Sequence, residues 1–215
     1  KSSLFARGVH RWAVGYGLRI MGDIEGAMRC FTEALEIGYE LDNLFSIVTT
    51  AVDLGEMMRQ KGELIKAEAI FRSALERALQ SSNGPGYIGR LESFLANILV
   101  ERRELEEAGD LIERAIEHNK HWENPNHTVY AWLIKARYYS ALHKYEQAHN
   151  TIENALQWTQ KFPVVASLNA SLDLFMVLIW MVMGENHQAA NWLVNQNIEG
   201  LLRKNSINES DELII

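Results

Sequence analysis

Gly62-Glu63-Leu64-Ile65-Lys66-Ala67-Glu68-Ala69-Ile70-Phe71-Arg72-Ser73-Ala74-Leu75 is the stretch that decides the fold. Ala67, Ile70, Phe71, Ala74 and Leu75 recur at steps of three and four, the period of an apolar helix face and not of a strand. Gly62-Glu63 has the form of a helix stop followed by an acidic helix start. Upstream, Ile47, Ala51, Leu54, Gly55 and Met58 share one face of a second helical segment. The whole therefore reads as helix, short turn, helix, over about 44–61 and 64–80.

Working outward, the same pattern returns. Ala27, Ala67, Ala108, Ala148 and Ala189 stand 40, 41, 40 and 41 residues apart. The fourth residue after each is Phe31, Phe71, Ile112, Ile152 and Leu193, and Ala34, Ala74, Ala115 and Ala155 follow, with Gln196 breaking the rule in the fifth copy. A fixed period in this range marks stacked supersecondary units. Gly15, Gly55, Ala96 and Ala136 lie 12 residues before the aligned alanine, where close helix axes demand small side chains. The expectation is that each small residue meets the aligned alanine while the bulky residue plugs the groove towards the next unit. Val177 in the fifth copy predicts looser packing there. The turns Gly22-Asp23, Gly62-Glu63 and Gly184-Glu185 are matched by Arg103-Glu104 and His143-Lys144, which lack the glycine. The predicted architecture is all-α, a right-handed superhelix of about five antiparallel helix pairs. It forms one domain over 1–215 with repeats at about 4–42, 43–83, 84–124, 125–162 and 163–204 and a tail at 205–215.

Composition narrows the function. The 215 residues are 47% hydrophobic and 23% charged, within the globular range. Pro85, Pro125 and Pro163 are expected between helices, since interior proline costs about 3 kcal/mol. The net charge of −7, with no basic stripe, argues against nucleic-acid binding by this segment. Cys30 is expected to be a buried, inert thiol, compatible with a reducing cytoplasm. Lys1-Ser2-Ser3-Leu4 is not expected to open a signal peptide, because no apolar block with a small-residue cleavage site follows it. The greasy run Leu174 to Met183 is shorter than the ~20 residues of a bilayer span and reads as a buried helix. Because the sequence does not start with Met, a piece of a longer protein is expected.

Small, aromatic, small in these slots resembles the tetratricopeptide repeat, whose ordinary length is about 34 residues. The connecting text narrows the likeness. Gly22-Asp23-Ile24-Glu25-Gly26-Ala27 leads into Phe31-Thr32-Glu33-Ala34-Leu35. Glu101-Arg102-Arg103-Glu104-Leu105-Glu106-Glu107-Ala108, Val129-Tyr130-Ala131-Trp132-Leu133 and Ala189-Ala190-Asn191-Trp192-Leu193 follow. In order and spacing these resemble the helical sensor region of MalT-like transcriptional activators of the LuxR type. The resemblance implies a cytoplasmic regulator whose repeats sense a small-molecule inducer, a peptide or a protein and thereby control self-association. It implies an ATPase before the repeats and a helix-turn-helix after them. Any ATP would belong to that absent N-terminal module, because this segment has no phosphate loop and no expected cofactor.

The resemblance also implies that first helices line a concave side. Counting around them from the small residue gives the positions expected to point outward: Trp12, Tyr16 and Arg19, then Thr49, Val52, Glu56 and Arg59. Arg90, Ser93, Asn97 and Glu101 follow, then Tyr130, Leu133 and Arg137. Aromatics, arginines and amides suit a groove for a polar ligand or peptide, and ordinary solvated helix faces are the plain alternative. His118, His121 and His127 lie near Trp122, but they lack the compact ligand pairs of a metal site, and no metal is expected. No nucleophile–base motif is present, so a non-catalytic domain is expected. Trp122, Trp132, Trp158, Trp180 and Trp192 are expected to serve core or inter-repeat packing. Leu174, Leu178, Trp180 and Met181 are expected to be covered by the terminal segment or by another chain. A free-standing repeat scaffold for peptides or proteins, an adaptor or peptide-pheromone receptor, is the rival reading.

Overall fold

The computed structural model describes residues 2–120 and 124–195. Among the described residues it consists of ten α-helices and their connectors, with no strand. These are α1 Ser2–Ile20, α2 Ile24–Glu40, α3 Leu44–Gln60, α4 Leu64–Leu79, α5 Pro85–Glu101, α6 Leu105–Lys120, α7 Pro125–Ala141, α8 Tyr145–Thr159, α9 Ala166–Met183 and α10 Asn186–Asn195. They fall into two compact units, 1–122 with α1–α6 and 123–215 with α7–α10. The division falls two residues before 124, the end of the third repeat as read from the sequence, which reads as one continuous domain.

Local chemistry sets the helix ends. The Asp23 and Asn43 side chains cap α2 and α3, accepting from the backbone N–H of Gly26 (2.9 Å) and Ser46 (3.0 Å). Pro85 and Pro125 are not between helices but open α5 and α7, where the missing N–H leaves no partner unsatisfied. The turn inside every hairpin has one geometry. Gly22, Gly62 and Gly184 are left-handed at φ 83°, 76° and 81°, and Arg103 and His143 adopt the same conformation at 65° and 59°. In each turn the next residue's N–H returns to a carbonyl five back, at 2.8–2.9 Å, for instance Glu63 to Met58 and Glu104 to Leu99. The unit is so strongly constrained that two bulky residues accept a backbone costing about 1–2 kcal/mol.

In the first unit, α1–α2, α3–α4 and α5–α6 are hairpins, and each second helix also packs on the next first helix. First helices further touch one another, α1 with α3 and α3 with α5, whereas second helices approach one another less. The first-helix face of this unit is therefore its concave side. The aligned alanines are buried throughout. The small residues meet something other than the sequence suggested. A Cβ at Gly55 would stand 2.4 Å from Phe71 Cζ, and one at Gly15 would stand 3.0 Å from Phe31 Cε1. The ring of the hairpin partner, not the aligned alanine, fills the space, because the aromatic side chain reaches further than the alanine's methyl. Copies with Ala96 and Ala136 carry the slimmer Ile112 and Ile152, so the volumes compensate. Phe71 also stacks on Phe94 of α5 with centroids 5.6 Å apart, which is the expected plug towards the next repeat.

In the second unit, α7, α8 and α9 enclose a core of Val129, Leu133, Ile152, Leu168, Leu172, Met176 and Ile179. Trp132 and Trp158 border it edge to face at 5.5 Å, and Trp158 contacts Phe162 at 4.5 Å. Trp122, His121 and the tail at 205–215 lie outside the described residues. The reading of the greasy run as a buried helix needs correction. The apolar stretch begins earlier, and α9 is 18 residues long with mean hydropathy 1.7, enough by length and composition to cross a membrane. It buries Leu168, Leu172, Met176, Val177 and Ile179, while Leu174, Leu178, Met181 and Val182 on another face are more than half exposed.

Candidate functional site

The sequence-predicted residues converge best in the first unit. There α1, α3 and α5 lie side by side and bring together Trp12, Arg19, Glu56, Arg59, Arg90 and Glu101, with Tyr16 buried beneath them. The Trp12 indole donates to Asp53 Oδ2 at 2.7 Å, tying α1 to α3. Arg59 donates through Nε to both Glu56 oxygens at 3.1–3.2 Å and through Nη1 to Glu101 Oε1 at 2.7 Å, tying α3 to α5. Trp12 and Tyr16 lie 5.7 Å apart, and the Arg19 guanidinium sits 5.9 Å from the Tyr16 ring centre.

Asp53 is the residue that counting around the helix missed. It is 7% exposed, in the middle of α3 between Val52 and Leu54. Burial pushes its carboxyl above the ordinary aspartate range, against the lowering pull of the Trp12 hydrogen bond and of the Arg19 and Arg90 charges. The available signal was an aspartate, a poor helix former, inside an apolar run with no cap or turn to explain it.

Several predicted positions do not point outward. Asn97 is 1% exposed and Tyr16 8%, and Val52, Ser93 and Leu133 are also buried. The cause is the direct contact between successive first helices, which closes over part of each helix face. Ser93 satisfies its hydroxyl by donating back to the Gly89 carbonyl at 2.8 Å. Thr49 is partly exposed on α3. Tyr130 and Arg137 belong to α7 in the second unit, where Tyr130 packs beside the core. On α9 the register of Glu56 and Arg59 is taken by Leu178 and Met181, so that helix's face turns aliphatic, whereas α7 keeps Arg137 and Ser140 there.

Other features stand apart from these residues. His118 belongs to α6 and places Nδ1 2.7 Å from Glu92, whose other oxygen meets Arg114 at 3.0 Å, so it helps to satisfy the buried Glu92 carboxylate. Among the described residues no group of three His, Cys, Asp or Glu side chains could hold a metal ion. A cavity of about 540 Å³ in the second unit is lined by His143, Lys144, Tyr145, Glu146, Gln147 and Met183, none of them predicted.

Solved structures resemble this one along most of its length. BtubC (BKLC) from P. vanneervenii shares 14% identity, with 98% of this chain and 80% of that chain covered and a TM-score of 0.67. Aspartyl phosphate phosphatase F from Bacillus subtilis shares 13% over 96% of this chain and 55% of that one, with a TM-score of 0.67. The apo form of RapI shares 13%, with the same two coverages and a TM-score of 0.61. The chain thus spans just over half the length of the last two, and at these identities the likeness is one of fold. No curated protein matches the sequence. The family description that does match is that of the MalT-like TPR region, over residues 1–214. With its all-helical hairpins and fixed period, this chain belongs to the MalT-like TPR family.

Proposed function

We propose that this chain is a non-catalytic, partner-sensing repeat domain of a cytoplasmic transcriptional activator of the LuxR type. Its binding face would be formed by α1, α3 and α5. The observation that supports this most is the gathering of Trp12, Arg19, Glu56, Arg59 and Arg90 on the concave side of one compact unit. Aromatic and arginine side chains are the types that dominate binding energy at interfaces. The mechanism is a shift between assemblies. A small inducer, peptide or protein favours one state only to the extent that it binds that state better. Self-association then carries the signal to modules outside this segment, and ATP and DNA contacts belong to those modules.

The test is a titration of the folded chain with metabolites and with candidate regulatory proteins, read by calorimetry and by sedimentation. Binding that alters the assembly state and weakens on replacing Trp12 or Arg19 supports the reading. A folded chain that binds none of them and never changes its assembly refutes it. Binding of peptides without any change in assembly favours the free-standing scaffold instead.

A further inference from the structure

We propose that α9 of one copy of this chain packs along α1 of a second copy, joining chains end to end through the contact that already joins first helices within the first unit. This deepens the self-association in the reading above and rests on it. The internal contact has a fixed register. Trp12, three residues before the small Gly15, donates to Asp53, two before Gly55, at 2.7 Å. Arg59, four after Gly55, donates to Glu101, five after Ala96, again at 2.7 Å. The leading first helix thus uses two positions seven residues apart, and the following one uses two positions seven apart, each one step later. Seven residues are about two helical turns, so each pair lies on one face.

Among the described residues no first helix precedes α1 or follows α9. Their corresponding positions are exposed and apolar. On α9 they are Leu174 and Met181, 51% and 55% exposed, with Leu178 between them at 55%. On α1 they are Ala13, which is exposed, and Ile20, 58% exposed, with Val9 a turn before at 47%. In the internal register Leu174 would meet Ala13 and Met181 would meet Ile20. Leu178 would lie towards Gly17, where an added Cβ would touch nothing within 4 Å. The two faces therefore suit each other, and neither suits the interior joints. A leucine set against Asp53, or a methionine against Glu101, would leave a carboxylate without its donor. A repeat array ordinarily ends in polar outer faces, and apolar ones mark a contact. None of these positions carries a charge, so the net −7 of each chain opposes the joint only at long range, where salt screens it.

The α9 face of one copy meets the α1 face of the next, so the joint does not close on itself and chains grow. One helix face offers less than the ~800 Å² per partner of a standard interface, so a dissociation constant of about 10–500 μM is expected. The test is sedimentation of the full chain from about 1 μM to about 1 mM, at low and high salt. The expected result is assembly that grows with concentration and strengthens with salt. Leu178→Gln and Ala13→Gln should each weaken it about tenfold or more. An equimolar mixture of the two variants retains one intact joint, and it should give dimers and nothing larger. That rescue also shows that both variants are folded. Loss of assembly in Leu178→Gln alone, with Ala13→Gln silent, would mean α9 pairing with α9 and would overturn the proposal. Growth that neither variant alters would overturn the joint and leave self-association standing. A chain still monomeric at the highest concentration would overturn it too, and would leave the α9 face to residues 196–215 or to another protein. Assembly as described that responds to no ligand would keep the joint and count against sensing.

Discussion

Gly55→Ala is the most informative single change in this protein. In an open helix position it would stabilise by about 1 kcal/mol, through propensity alone. Here the new methyl would lie 2.4 Å from Phe71 Cζ and 2.8 Å from both Cε atoms. Carbon atoms settle about 3.5–4.0 Å apart, so the ring must retreat by roughly an ångström. Phe71 is fully buried and backed by Phe94, which leaves it little room to do so. Overpacking costs about 1–3 kcal/mol, and three crowded ring atoms put this case at the upper end. The expected net loss is about 2 kcal/mol, or roughly 4–8 °C in Tm for a chain of this size. In a Phe71→Ile background the same change restores the small-plus-aliphatic pairing of Ala96 with Ile112, and it should turn stabilising by up to about 1 kcal/mol. The coupling energy from a double-mutant cycle by urea denaturation is then about 3 kcal/mol. Gly17→Ala, with no atom within 4 Å of its Cβ, is the control and should stabilise. If Gly55→Ala costs the same in both backgrounds, ring and methyl do not compete for one space and the packing argument fails.

Other outcomes follow from the same coordinates. Arg103→Gly should stabilise by about 0.5–1 kcal/mol, because φ 65° is free of strain only for glycine; thermal denaturation checks it. The raised carboxyl of Asp53 means the folded state holds its proton more tightly than the unfolded state. Its contribution to stability is present below the ordinary aspartate range and is lost as pH rises from about 3.9 through the folded value. Asp53→Asn should flatten that fall, measured by denaturant titration at several pH values. Leu172→Ala, at a fully buried α9 position, should cost about 2–5 kcal/mol, whereas Leu178→Gln on the exposed face should stay within about 0.5 kcal/mol in the same assay.

Repeat spacing made the hairpins, the turns and the resemblance legible, because periodicity records which helix side is apolar. It even located Arg103-Glu104 and His143-Lys144 as turns, since their place in the period outweighs their poor propensity for a left-handed backbone. What it left out was distance between neighbours. A helical wheel gives the angle of Asn97 and Ser93 but not the adjacent first helix that closes over them. It gives no hint that Gly55 faces a ring and not Ala67, because side-chain reach is not periodic. The α9 stripe from Leu174 to Val182 misled for the opposite reason: apolar character alone does not say which face has a neighbour. Asp53 stayed hidden because its partners Trp12, Arg19 and Arg90 come from two other helices.

The unequal spacing of first and second helices has a mechanical consequence for the first unit. Its first helices touch, whereas its outer side is laced by long side chains: Tyr39 to Ser73 at 2.9 Å, Arg72 to Glu107 at 2.8 Å, and Arg77 to Asp42. Exposed pairs of that kind are worth at most about 1 kcal/mol each and can lengthen through water with little loss. The unit is thus built like a folding fan, pinned along one edge and loosely tied along the other. Any change of its curvature must strain the packing of α2 on α3 and of α4 on α5 as well, so the ties set only the outer margin of its stiffness.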